Sequence, residues 1–191
     1  MKTIYVQSIL WLAFCLFFAS CDLEKVDDFV DPGGGGGQVR KFNTTVGGNG
    51  NDFPADVIAA SDSGYVVAGY SQSFTPNLDN QAYLVKVNSQ GNQVWEQNFG
   101  GGNDDYARAV TEASDGGFVF VGYTYSFSTS QDVFFGKVNA SGGKVWDKFY
   151  GAADSSEFAF GVAQLDGGDF LIGYINENLS NDQIPLLRVN G

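Results

Sequence analysis

The 191-residue sequence predicts an all-β fold of three four-stranded antiparallel repeat units. Two repeated landmarks predict it. A Gly-Tyr pair returns as Gly69-Tyr70, Gly122-Tyr123 and Gly173-Tyr174, spaced 53 and 51 residues apart. Lys86-Val87-Asn88 returns as Lys137-Val138-Asn139 and again as Arg188-Val189-Asn190, 51 residues on each time. A strand-built period near fifty residues marks a repeat architecture. Composition agrees, with 26 glycines, 15% aromatic and 43% hydrophobic residues. That is a turn-rich β protein with ample core material, not a disordered chain.

The elements follow in order from the N-terminus. Lys2 supplies a positive start, Ile4 to Phe18 is nearly all apolar, and Phe18-Ala19-Ser20 places small residues before Cys21. This is the pattern of a secretory signal over residues 1–20. Its Ala-Ser-Cys ending resembles the lipobox of bacterial lipoproteins, which implies that Cys21 is acylated and anchors the mature chain in a membrane. Several acyl chains give stable attachment where one alone is marginal. The other readings are an ordinary cleaved signal and a short transmembrane anchor. The anchor is disfavoured because the apolar run is shorter than the roughly 20 residues a span needs.

Directly after Cys21 comes Asp22-Leu23-Glu24-Lys25-Val26-Asp27-Asp28. The run resembles the acidic signal that sends some Gram-negative lipoproteins to the outer face of the outer membrane, so the expected address is the cell surface. An Asp next to the lipidated cysteine retains lipoproteins at the inner membrane in other bacteria, and a plain solvated linker has the same composition. Pro32 and Gly33 to Gly37 complete a tether over residues 21–37. By coil statistics it would hold the folded body about 20–25 Å from the bilayer. Neither a preceding strand nor a following Gly-Lys-Ser/Thr makes these glycines a phosphate loop.

The body, residues 38–191, divides into repeats 38–92, 93–143 and 144–191. In the second, strands are expected at Gln93–Phe99, Ala107–Ala113, Phe118–Tyr125 and Asp132–Asn139. Phe118-Val119-Phe120-Val121 is apolar on both alternating faces, as are Tyr65-Val66-Val67-Ala68 and Phe170-Leu171-Ile172. Such strands must be covered on both sides, as in the stacked blades of a β-propeller.

Asp62-Ser63-Gly64, Asp115-Gly116-Gly117 and Asp166-Gly167-Gly168 are hairpin turn chemistry, as are Asn88 to Gly91 and Asn139 to Gly142. Their acids invite a calcium reading, but no stretch fits the Asp-x-Asp/Asn-x-Asp/Asn-Gly loop, and turn formation explains them. Trp95 and Trp146 occupy matching places, where the first unit has Arg40 after Val39. They are expected to pack between blades, a sugar-stacking platform being the other use of such a ring. Pro185 cannot donate to a ladder and marks the last strand as an edge.

Val94-Trp95, Gly100-Gly101, Asp104-Asp105-Tyr106, Asp115-Gly116-Gly117-Phe118, Gly122-Tyr123 and Lys137-Val138-Asn139 together resemble the repeat of secreted bacterial and archaeal β-propeller-like proteins. The likeness spans residues 38–191. The first unit lacks the Trp, and the third has Gly151-Ala152 and Glu157-Phe158 in place of Gly-Gly and Asp-Tyr. It implies a fold rather than an activity. Closed propellers use at least four blades. Three repeats therefore point to completion of a ring by further copies of the chain, to an open arc, or to a truncated relative.

With 22 acids against 10 bases, the net charge of −12 excludes a nucleic-acid partner, whose binding rests on Lys and Arg. No histidine is present, and both cysteines, Cys15 and Cys21, lie in the leader region. The body thus lacks a thiol nucleophile and a Cys/His zinc site. No cofactor and no metal are expected. Asp52, Asp105 and Glu157 each precede an aromatic, Phe53, Tyr106 and Phe158, at the start of a small-residue strand. Gathered around one mouth they would draw a cation or a basic ligand; as turn caps they would satisfy backbone N–H groups. The expected function is a surface-anchored binding or scaffold module for protein or glycan, not an enzyme. The competing readings are a carboxylate-dependent glycan-active enzyme, with carboxyls roughly 5–10 Å apart across a pocket, and a truncated non-functional propeller relative. Glu96 and Glu112 are acids without counterparts, both expected on solvated strand faces.

Overall fold

A computed structural model describes residues 42–179 and 183–191. The leader, the lipidation candidate Cys21, the tether and the Val39-Arg40 pair lie outside the described residues. The described chain is all-β, without a helix, in three antiparallel sheets of four, four and three strands. The first sheet holds β1 (Asp52–Ala59), β2 (Tyr65–Ser71), β3 (Gln81–Val87) and β4 (Gln93–Phe99), paired in that order. The second holds β5 (Asp105–Glu112), β6 (Phe118–Thr124), β7 (Asp132–Val138) and β8 (Lys144–Tyr150). The third holds β9 (Glu157–Gln164), β10 (Phe170–Asn176) and β11 (Leu186–Val189).

Sheets and sequence repeats are offset by one strand. The Trp strand Gln93–Phe99 opens the second sequence repeat, yet it hydrogen-bonds to β3 and closes the first sheet, with Lys86 opposite Trp95. In the same way β8 closes the second sheet, with Lys137 opposite Trp146. A repeat has no intrinsic starting point, so its landmarks do not say which strand pairs with which.

Each first strand carries a β-bulge. Register slips between Pro54 and Asp56, between Ala107 and Ala109, and between Ala159 and Gly161, leaving Ala55, Arg108 and Phe160 unpaired. The bulge swings a backbone carbonyl toward the Gly-Tyr strand opposite. A side chain at Gly69 or Gly122 would collide with the carbonyl oxygen of Phe53 or Tyr106. That is why glycine precedes tyrosine in those two sheets.

Two apolar layers separate the three sheets. Between the first and second lie Val66, Ala68, Leu84, Trp95, Phe99, Phe118, Phe120 and Phe134, all buried. Between the second and third lie Val121, Val133, Phe135, Ala159 and Ile172, with half-buried Trp146 packed against them. Both tryptophans thus pack between sheets. Successive sheets meet chiefly where β5 packs against β1 and β2, and where β9 packs against β5 and β6.

The Lys-Val-Asn landmark has a mechanical role. Lys86 and Lys137 are buried, and each pairs with the aspartate of its sheet's first hairpin, Asp62 at 2.7 Å and Asp115 at 2.8 Å. Arg188 makes the equivalent pair with Asp169 at 2.6 Å. Asn88 and Asn139 accept backbone N–H groups of their own hairpin turns, from Asn92 and Gly143. β11 lies at a sheet edge, and Pro185 directly precedes it.

The first repeat aligns differently from the sequence expectation. Phe42, not Arg40, stands where Trp95 stands. Trp95 covers Gly142 and lies 5.8 Å from the Phe118 ring, while Phe42 covers Gly91 and lies 5.7 Å from the Tyr65 ring. Gly91 and Gly142, like Tyr65 and Phe118, are repeat counterparts.

Candidate functional site

The three predicted carboxylates occupy equivalent places at the starts of β1, β5 and β9, and each is consumed within its own sheet. Asp52 accepts from the Gly48 N–H at 3.0 Å and from the Ser71 and Ser73 hydroxyls. Asp105, fully buried, accepts from the Gly101 N–H at 2.8 Å, the Ser126 hydroxyl at 2.8 Å and the Thr124 hydroxyl. Burial raises the Asp105 carboxyl above its ordinary range, and those three donors oppose the shift. Glu157 accepts from Asn176 Nδ2 at 2.8 Å and from the Ser155 hydroxyl. The bonds clip the glycine turn to the end of the second strand. Among the described residues no group of three or more acids stands close enough to hold a cation.

Glu96 and Glu112 are not merely solvated. Glu96 accepts from the Tyr83 hydroxyl at 2.5 Å. Glu112 takes both the N–H and the hydroxyl of Ser61, at 2.8 and 2.6 Å, tying the second sheet to a hairpin of the first. Gln164 repeats this tie one sheet on, accepting the Ser114 N–H at 2.7 Å.

The aromatic residues after the carboxylates do come together, and they bring the Gly-Tyr tyrosines with them. Phe53 stacks on Tyr70 at 4.9 Å, Tyr70 meets Tyr106 at 4.8 Å, Tyr106 meets Tyr123 at 4.8 Å, and Tyr123 meets Phe158 at 5.0 Å between ring centroids. The row crosses all three sheets. Its spacing lies in the range where tilted and edge-to-face rings attract. Bulging aims Arg108 at its centre. The guanidinium lies 5.9, 5.5 and 5.2 Å from the Tyr70, Tyr106 and Tyr123 rings, and Nη2 donates to the Tyr123 hydroxyl at 2.7 Å. Its Nε is buried without a partner among the described residues.

Beside the row opens a 350 Å³ cleft lined by Asp79, Asn103, Asp104 and Tyr125. Asp104 is fixed there, accepting the Asn80 N–H at 2.8 Å and the Tyr106 hydroxyl at 3.3 Å. Asn80 Nδ2 also donates to the Tyr106 hydroxyl at 2.9 Å. Burial, then the nearby Asp104 charge, pushes the Tyr106 phenol up to about 12, so it remains a donor at neutral pH. Exposed Tyr125 lies 6.4 Å from the Tyr106 ring and 6.1 Å from the Tyr123 ring, continuing the row into the cleft.

Sequence reasoning found Phe53, Tyr106 and Phe158 but took Tyr70 and Tyr123 only as strand markers, and it missed Arg108. The signal for Arg108 was present: it is a lone base between Ala107 and Ala109, where the other repeats have Ala55 and Phe160. No protein-family model matches the chain, and no curated protein matches it in sequence.

Proposed function

We propose that the chain is a β-propeller-like glycan-binding module, carried on the outer face of the outer membrane by acyl chains on Cys21. One observation carries the binding reading: the aromatic row runs directly into a polar cleft. An aromatic ring beside fixed carboxylate and amide groups suits sugar, whose C–H faces stack and whose hydroxyls donate and accept. Asp79 and Asn103 would take the hydroxyls, and Tyr125 would take a ring face. The propeller-like reading is supported by three successive antiparallel sheets, each with its first strand packed against the sheet before or after it.

Binding is favoured over turnover. Asp79 and Asp104 line one cleft, as a carboxylate-dependent glycosidase would require, but both Asp104 oxygens already hold internal partners. A general acid or nucleophile needs an oxygen free for substrate.

Affinity electrophoresis of the full chain in mild detergent, through gels containing neutral or acidic polysaccharides, tests the reading. Retardation that Tyr125→Ala abolishes without altering the thermal melt is the expected result. Migration unaffected by every polysaccharide would sink it, and release of new reducing ends would replace it with the enzyme. The address is tested separately, by incorporation of labelled palmitate that Cys21→Ser abolishes and by protease access on intact cells.

A further inference from the structure

Within the chain, each sheet covers the next in the same way. The fourth strand lies over the neighbouring sheet, as Trp95 does over Gly142 and Phe118, with its Nε1–H donated to the Ala140 carbonyl at 3.2 Å. The third strand sends a cation to the same ring: Lys86 stands 5.1 Å from the Phe118 centroid, and Lys137 stands 6.0 Å from that of Phe170.

Among the described residues, the first sheet has such a cover without a sheet that carries it. Phe42 to Val46 is the counterpart of Trp95 to Phe99, and Phe42 lies over Gly91 and Tyr65 as Trp95 lies over Gly142 and Phe118. Among the described residues this segment pairs with no strand. A 310 Å³ groove opens beside it, lined by Thr44, Val46, Val67, Tyr83 and Val85 among others. The third sheet shows the converse. β11 is paired only to β10 among the described residues, Leu186 and Ile184 are 61% and 81% exposed, and the Arg188 side chain is 65% exposed. An edge and an apolar face left open together invite strand addition.

We infer that Phe42 to Val46 of one copy adds as the fourth strand to β11 of a second copy, stacking the third sheet of one chain on the first sheet of the other. The register follows from β3 and β4, where Lys86 faces Trp95 and Leu84 faces Gln97. It sets Arg188 opposite Phe42 and Leu186 opposite Thr44. Arg188 then reaches Tyr65 of the second copy, the ring equivalent to Phe118 and Phe170. Pro185 does not obstruct this edge. Its carbonyl accepts the Tyr174 N–H at 3.2 Å, so its nitrogen also faces β10, and the outward donors belong to Ile184, Leu186 and Arg188. The contact is head-to-tail, and it closes a ring or runs on as a filament according to the rotation it imposes. The inference rests on the sheet stacking within the chain and not on glycan binding, which a monomer would retain.

Cross-linking tests it. Two preparations of the full chain, both carrying Cys15→Ser and Cys21→Ser, bear Thr44→Cys and Leu186→Cys separately and are mixed in detergent under mild oxidation. A disulfide joining one chain of each kind is the expected result. Leu187→Cys, on the opposite face of β11, should not link. Thr44→Pro removes the N–H that the Leu186 carbonyl would accept; it should reduce the sedimenting species to monomer while leaving the melt of the monomer unchanged. A chain that sediments as a monomer at every concentration, or a double variant that links only within itself, overturns the inference.

Discussion

The second and third sheets carry the same repeat and differ in what covers them. β7 is buried at every position, and six of the seven residues of β6 are buried. Of their counterparts, β11 alternates between exposed and half-buried positions, and only two residues of β10 are buried. The strands are equally apolar, so burial here belongs to the neighbours a strand is given rather than to its own composition. A sheet between two others is held on both faces; one at the end of a stack depends on a single layer.

The largest expected effect sharpens that contrast with phenylalanine. Phe120 is fully buried, 4.7 Å from the Phe99 ring and 5.4 Å from the Phe134 ring. Phe120→Ala should cost about 4 kcal/mol, as cavity-forming truncations do. Phe149, on β8, is 50% exposed and stacks only on exposed Phe127 at 4.9 Å. Phe149→Ala should cost less than about 1 kcal/mol, in line with exposed sites. Urea midpoints decide; equal losses would mean that β8 is covered in solution.

Glycine offers a second cut. At Gly122 an added Cβ would meet the Tyr106 carbonyl, whereas at Gly173 the nearest atom is the end of the Leu186 side chain at 4.0 Å. Gly122→Ala should destabilise by about 3 kcal/mol, at the upper end of overpacking costs. Gly173→Ala should lie within about 0.5 kcal/mol of the parent, because the unfolded chain loses entropy and nothing is displaced. A large loss at Gly173 would show that the third sheet is tighter than its exposure implies.

The same residues show how much was legible in the sequence. Strand content, hairpin turns and the Trp strand Gln93–Phe99 followed from alternation and Asp-Gly or Asn-Gly chemistry, because those signals are local. The offset between repeat and sheet was not legible, since pairing is a long-range choice that every repeat encodes identically. Val39-Arg40 imitates Val94-Trp95 and drew the first alignment two residues out of place; only packing over Gly91 identifies Phe42 as the counterpart. The carboxylates were visible as a set, with caps as one of their two readings, but their side-chain partners Ser71, Thr124 and Asn176 were not, because these lie about twenty residues away. Arg108 was hidden by its bulge, which strand alternation does not foresee.

Arg108 also separates the second sheet from its neighbours. Its place is taken by Ala55 in the first sheet and by Phe160 in the third, so only the second has a guanidinium among its tyrosines. Arg108→Ala removes a hydrogen bond and three ring contacts, and should cost about 1–2 kcal/mol. Loss of glycan retardation with a smaller change in the melt would place Arg108 in the binding face. A drop in the melt with retardation intact would make it a strut between sheets.

The smallest effect lies in the acid limb. Lys137, hydrogen-bonded to Asp115, and then the Gly117 N–H hold the Asp115 carboxyl below its ordinary range. Lys86 and the Gly64 N–H do the same for Asp62. The fold thus favours the ionised form of both. Their contribution is fully present above the unfolded value near 3.8 and disappears as pH falls through the lower folded one. Both carboxylates are largely exposed, so water and salt screen the pairs. Asp115→Asn should therefore cost a little at neutral pH and flatten the decline of stability below about pH 4 by that same small amount. In the third sheet Asp169→Asn should cost still less at neutral pH, because its partner Arg188 is open to water. If Asp169→Asn cost more than Asp115→Asn, Arg188 would have to be covered in solution, as stacking on a second copy would require.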